Sequence, residues 1–268
     1  MEKESMGSRD FYIEKRVNKA QLHNMHHHSS YELYYLVKGS REYFIEDRFF
    51  TVEEGDLVII PKEVFHRTEG DGGLRFLVHF SESFLGKYFT DATLQPLVTS
   101  LPFVFRGDRH QQAQLLHCLT RMEAVFEKSA SNREAVFAGY LHQLLFAVVN
   151  EENTYIPSDH ADVRITGIVQ YINENYNTVS DIDEIAQRFY ISKYHLCRLF
   201  KKKLGIPLVA YLNTVKIHHA CSMIREGDAK LTDVAMQCGF NSSSYFCKVF
   251  KKELGVSPAE YRIQHKQR

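Results

Sequence analysis

The sequence predicts an α+β chain: an N-terminal β-barrel with trailing helices, then an all-α domain of two helix-turn-helix units joined by a long helix. Short runs rich in Tyr, Val, Ile and Phe crowd the stretch from Phe11 to Phe80. The apolar spacing turns helical from about Ser81. Near the C-terminus one helical pattern then occurs twice, about 50 positions apart.

The strand runs are YELYYLVKG, REYFIED, GDLVIIP and LRFLVHF, with breaks expected at Gly39, Gly55, Pro61 and Gly72-Gly73. If Glu32 points into the barrel, alternation sends Tyr34 and Leu36 the same way and Leu33, Tyr35 and Val37 outward. Tyr34 is then a candidate to stack on a ligand, with core packing as its plainer role. Arg75 has the chemistry to grip a carboxylate or phosphate, but a lone arginine on a strand is expected at the surface. Gln111 to Lys128 carries Leu115, Leu119, Met122 and Phe126 at helical spacing, and Arg133 to Glu151 carries Val136, Tyr140, Leu144 and Val148. These helices are more apolar than one small barrel requires. One is therefore expected to form a homodimer interface, with Leu115, Leu119, Met122 and Phe126 as candidates; packing on the barrel is the alternative. The polar stretch EENTYIPSDHAD with Pro157 reads as a linker, and a helix opens at Val163.

Composition narrows the class. With 44% hydrophobic and 25% charged residues the chain reads as a soluble globular protein. It has no apolar run long enough to span a bilayer, and MEKESMGSRDF lacks the apolar core of a secretory signal. The five cysteines (Cys118, Cys197, Cys221, Cys238, Cys247) are odd in number and show no CxxC spacing, which points to reduced thiols in a cytoplasm. The zero net charge hides an asymmetry. From Asp162 onward there are 16 Lys+Arg against 10 Asp+Glu, a net +6, and the remainder is −6. A basic C-terminal part suits a polyanionic partner.

The repeat sharpens that expectation. Ala186 matches Ala235, Cys197 matches Cys247, Phe200-Lys201-Lys202 matches Phe250-Lys251-Lys252, and Tyr211 matches Tyr261. The offset is 49 before the turn and 50 after it, so the second turn holds one extra residue. Ser192 and Ser242 are placed to cap the longer helices, and Gly205 and Gly255 to end them. At 100° per residue Leu196, Leu199, Phe200 and Lys203 share one side of the first, opposite Tyr194, Arg198 and Lys201. In the second, Phe246, Val249 and Phe250 face inward, and Ser244, Lys248 and Lys251 outward. Arg198 and Lys248 occupy equivalent positions from which guanine edges can be read. Lys201, Lys202, Lys251 and Lys252 suit phosphates. Gly239 in the second turn is expected to need a positive φ. Leu208 to Glu226 reads as one helix of roughly 30 Å, close to one turn of DNA.

The segment Ile165 to Tyr261, and LTDVAMQCGFNSSSYFCKVFKKELGVSPAEYR above all, resembles the DNA-binding domain of AraC/XylS-type transcription regulators. The resemblance implies two helix-turn-helix units acting on double-stranded promoter DNA. It places Ser192, Lys193, Tyr194, Cys197 and Arg198 on the first recognition helix and Ser243, Ser244, Cys247 and Lys248 on the second. It also favours a homodimer, and contact with RNA polymerase if the regulator activates.

A looser resemblance marks the N-terminal part. His26, His28, Glu32 and Gly39 follow the first cupin motif, and GDLVIIPKEVFH, ending at His66, resembles the second, with Glu63 and Gly70 departing from it. The resemblance implies a cupin-like barrel in which His26, His28, Glu32 and His66 are metal or ligand contacts. The leading expectation is an effector sensor for a small molecule such as a sugar, with no cofactor required and no enzyme activity. A divalent metal in the quartet, as ligand aid or signal, and a metal-dependent cupin enzyme fused to a DNA-binding module stay open as alternatives. The expected domains are an effector-binding and dimerisation domain over 1–153, a linker over 154–162 and a DNA-binding domain over 163–268. The first 20 residues are a candidate movable arm; bound ligand would reposition this arm or the linker and so change the promoter half-sites spanned.

Overall fold

The computed structural model describes residues 10–19, 26–45, 48–62, 64–70, 72–89, 103–127, 132–149, 163–179 and 181–266. Glu63, the whole of the expected linker and residues 1–9 and 20 of the candidate arm lie outside them. The chain divides into two compact units, Met1–Ala161 and Asp162–Arg268.

Among the described residues the first unit holds eight strands: β1 (Phe11–Lys19), β2 (Tyr31–Lys38), β3 (Ser40–Ile45), β4 (Arg48–Glu53), β5 (Leu57–Ile60), β6 (His66–Glu69), β7 (Gly72–Phe80) and β8 (Phe103–Phe105). They form a five-stranded sheet in the order β1-β7-β2-β5-β8 and a three-stranded sheet in the order β4-β3-β6, every pair antiparallel. The alternation expected of β2 decides what each face touches. Tyr34 and Leu36 join Tyr43, Ile45, Phe50, Val52, Val58, Ile60 and Val104 in a core shared by both sheets, the barrel interior. Leu33 and Tyr35 face the other way and are equally buried, under α1 (Glu82–Tyr88), α2 (Arg109–Glu127) and α3 (Arg133–Val149).

Four expectations change. Leu115, Leu119 and Met122 are buried in their own unit and Phe126 packs against the same core, so this face covers the sheet and offers no dimer interface. Phe11, Tyr12 and Ile13 belong to β1, which pairs with β7 along its whole length as part of the sheet. Gly72-Gly73 lies inside β7, where Gly73 (φ +141°) meets the register shift of β2. Arg75 is buried, because it lies opposite Leu36 on the interior face of the sheet.

The second unit has seven helices among the described residues: α4 (Val163–Asn175), α5 (Ile182–Arg188), α6 (Lys193–Leu204), α7 (Leu208–Glu226), α8 (Leu231–Gln237), α9 (Ser243–Leu254) and α10 (Pro258–Lys266). The repeat is α5–α6 and α8–α9, with α7 between them. Ser192 Oγ accepts the His195 amide at 3.2 Å and Ser242 Oγ accepts that of Tyr245 at 3.4 Å. Gly205 and Gly255 end α6 and α9 in the left-handed region at φ +75° and +78°.

The two turns show where the extra residue sits. Ile191 and Phe240 donate equivalent backbone bonds, to Ala186 and Ala235, both at 3.0 Å. The residues before them, Tyr190 and Gly239, are the left-handed positions (φ +54° and +74°). After Phe240 the second turn gains Asn241 before its cap. Tyr190 is 95% exposed and its side chain has room. At Gly239 a Cβ would run into the backbone of Asn177, so only the second turn requires glycine. Buried Lys216 of α7 donates to the Gly239 carbonyl at 2.7 Å and fixes that turn.

Candidate functional site

One end of the barrel interior gathers polar groups around Glu32. Across β2–β7, Glu32 lies opposite His79, Tyr34 opposite Leu77 and Leu36 opposite Arg75; across β3–β6, Ile45 lies opposite His66. His28 Nε2 sits 2.9 Å from Glu32 Oε2, His79 Nε2 3.6 Å and His66 Nε2 3.7 Å from the same oxygen. Ser30 Oγ is 3.3 Å from His79 Nδ1. Burial by itself would raise the Glu32 carboxyl, yet the hydrogen bond from His28 and the neighbouring His66 and His79 imidazoles hold it well below the usual carboxylate range. Burial lowers His79 to about 4, against the pull of Glu32, so its ring is neutral at neutral pH. A carboxylate ringed by imidazoles can accept hydrogen bonds from ligand hydroxyls or coordinate a cation.

Of the four residues taken from the cupin pattern, His28, Glu32 and His66 have donor atoms within 4.8 Å of one another. His26 is not in that group. It forms a backbone bridge with His66, and its ring lies beside the His66 ring at 4.3 Å and 6.2 Å from that of His28. His79 faces Glu32 instead. Sequence reasoning missed it, although alternation along LRFLVHF places Arg75, Leu77 and His79 on one face. Tyr34 points inward as expected, edge-on to Tyr43 at 5.0 Å.

In the second unit the candidate DNA contacts lie on the outer sides of α6 and α9. Ser192, Lys193, Tyr194, Arg198, Lys201 and Lys202 are exposed, as are Ser244, Cys247, Lys248, Lys251 and Lys252; Cys197 and Ser243 are half-buried. The opposite sides are buried through Leu196 and Phe200, and through Phe246, Val249 and Phe250. The Arg198 guanidinium lies 5.9 Å over the Tyr194 ring. Lys193 Nζ is 2.7 Å from Asp183 and 3.6 Å from Asp181. Exposed pairs of this kind are weak enough to yield to a phosphate. Exposed Tyr190 and Met236 lie just outside the repeat's longer helices and were not singled out in the sequence.

Comparison with known proteins matches residues 11–145 to the AraC-like ligand binding domain and residues 185–264 to a helix-turn-helix domain. The chain belongs to the AraC family. The transcriptional activator RhaS of Escherichia fergusonii is 27% identical over 247 residues, covering 88% of this chain and 86% of the relative. The lactose operon transcription activator of Staphylococcus xylosus is 28% identical over 160 residues, 57% of each chain. The melibiose operon regulatory protein of Escherichia coli is 28% identical over 111 residues, 41% of this chain and 37% of that one. This AraC-family chain therefore couples a ligand-binding domain to DNA-binding helix-turn-helix units, the build of a ligand-responsive transcription regulator. Among the described residues no helix is long and apolar enough to cross a membrane.

Proposed function

We propose that this AraC-family regulator senses a sugar inside its barrel and reads promoter DNA with α6 and α9. The observation that carries the DNA half is the repeated helix pair, each longer helix buried on one side and lined with exposed serines, lysines and an arginine on the other. Arg198 and Lys248 take the base edges, Lys201, Lys202, Lys251 and Lys252 the phosphates, and Ser192, Lys193, Tyr194, Cys197, Ser243, Ser244 and Cys247 the remaining groove contacts. The sugar half is supported by the ring of hydrogen-bonding groups on Glu32 and by relatives named for lactose and melibiose operons. His28, Glu32, His66 and Tyr34 contact the sugar, with His26 at the rim.

The protein acts in the cytoplasm as a homodimer, without catalysis, over a sensor domain of 1–153, a linker of 154–162 and a DNA-binding domain of 163–268. As an activator it meets RNA polymerase. Effector changes transcription only by binding two states of the dimer unequally. Footprinting on the native promoter, with and without a panel of sugars, tests this. The expected result is protection of paired half-sites that one sugar rearranges. Protection and transcription unchanged by every sugar would count against it.

A second reading is favoured by one observation. His66 Nε2 is buried, has no hydrogen-bond partner and faces Glu32, as a metal ligand would. His28, Glu32 and His66 fit a divalent transition metal, which would supply a Lewis-acidic seat for sugar oxygens. Metal analysis of protein purified under metal-replete conditions decides between the readings; a bound stoichiometric ion is expected only under the second.

A further inference from the structure

The barrel interior carries charge away from the histidine cluster as well. Arg41 on β3 and Arg75 on β7 are 2% and 4% exposed. Arg75 lies opposite Leu36 and Arg41 opposite Val52, and both partners belong to the interior core. Residues opposite one another on paired strands share a face, so both guanidiniums enter the interior. The Arg75 guanidinium lies 5.8 Å from the centre of the Tyr34 ring. Arg41 Nη1 reaches only the Gly70 carbonyl, at 3.4 Å, while its Nε and Nη2 and the Tyr34 hydroxyl have no hydrogen-bond partner. Among the described residues no carboxylate pairs with Arg41.

A guanidinium keeps its charge at any physiological pH. Burying one is costly unless an anion and further acceptors compensate. Its planar fork of donors matches a carboxylate or phosphate. Burial raises the Tyr34 hydroxyl while Arg75 and Arg41 oppose that shift, so it remains a donor at neutral pH. Glu32 and Leu36, which mark the two ends on β2, are four residues apart, about 13 Å along a strand.

We propose that the effector is an anionic sugar whose carboxylate or phosphate seats on Arg41, beside Arg75 and Tyr34, while its hydroxyls meet the Glu32–histidine cluster. The inference rests on the sensor reading above and names the chemical class of its ligand.

Calorimetric titration of the full-length protein with galacturonate, glucose 6-phosphate and their neutral counterparts galactose and glucose tests it. The expected result is that one acid binds at least about tenfold more tightly than its neutral counterpart, and that Arg41→Gln removes at least about tenfold of that affinity. Which acid binds separates carboxylate from phosphate recognition. Tyr34→Phe keeps the ring and lowers the same affinity a few-fold; it decides the matter if Arg41→Gln fails to fold, as judged by melting and DNA binding. Neutral sugars binding as tightly as the acids, binding by neither acid, or undiminished acid affinity in a folded Arg41→Gln each overturn the inference. A neutral sugar that rearranges the footprint overturns it while leaving the sensor reading intact. An acid that binds through Arg41 but never alters the footprint supports it and counts against the regulatory reading.

Discussion

Replacing Gly239 with Ala tests why the two helix-turn-helix turns differ in sequence. Gly239 adopts φ +74°, and a Cβ there would lie 2.8 Å from the Asn177 Cα and carbonyl carbon, and closer still to the carbonyl oxygen. The left-handed region by itself costs an L-residue about 1–2 kcal/mol. A methyl pressed against backbone, which cannot swing aside as a side chain does, adds about 1–3 kcal/mol by comparison with overpacked cores. The expected loss is therefore about 2–5 kcal/mol from the helix-turn-helix unit. Gly255→Ala isolates the first contribution: its φ is +78°, and a Cβ there meets nothing within 4 Å. Tyr190→Gly is the reverse experiment. Relief of the φ +54° conformation is offset by the greater chain entropy of glycine, leaving a change within about 1 kcal/mol. Urea denaturation of the full chain, followed by helical circular dichroism, gives the three values if the m-value is unchanged. Equal losses for Gly239→Ala and Gly255→Ala would refute the steric argument and leave backbone conformation as the whole cause.

Other consequences are open to direct measurement. Arg198→Ala should cost roughly 1–3 kcal/mol, confined to one base position of the promoter site, whereas Lys202→Ala should weaken all sequences alike and flatten the salt dependence; binding isotherms over a mutated-site series separate the two. Arg106 holds the fully buried Asp56 with both carboxylate oxygens engaged, at 2.8 and 2.6 Å. Because Arg106 itself is partly exposed, Arg106→Ala should cost about 2–3 kcal/mol, less than loss of a fully buried partner, and adding Asp56→Asn should recover part of it in the same denaturation assay. His219 stacks on Tyr176 at 3.9 Å, and burial lowers its pKa from the ordinary 6.5. The unfolded chain then takes up this proton first. Stability is complete above the ordinary histidine value and declines as pH falls below it. His219→Phe, which keeps the stack, should flatten the fall in melting temperature between about pH 8 and 5.

Local rules were enough for the C-terminal unit. Serine caps, glycine stops and the 3.6-residue period are properties of one helix and its flanks, so Ser192, Ser242, Gly205, Gly255 and the outward faces of α6 and α9 could be read from spacing. On β2 the two-residue period likewise separated Tyr34 and Leu36 from Leu33 and Tyr35. Short β8 was not legible, because three residues carry no periodicity and its pairing with β5 is long-range.

The sequence by itself determined the family, through the motif of its C-terminal repeat, and which side of each recognition helix meets solvent, because caps and helical period are short-range properties. Only the tertiary structure decided who shares the barrel interior. It replaced His26 with His79 beside Glu32, turned Arg75 from the surface into the core alongside Arg41, and spent the apolar face of α2 on the chain's own sheet. Those outcomes depend on strand register and sheet-on-helix packing between residues far apart in the chain, which no local pattern encodes.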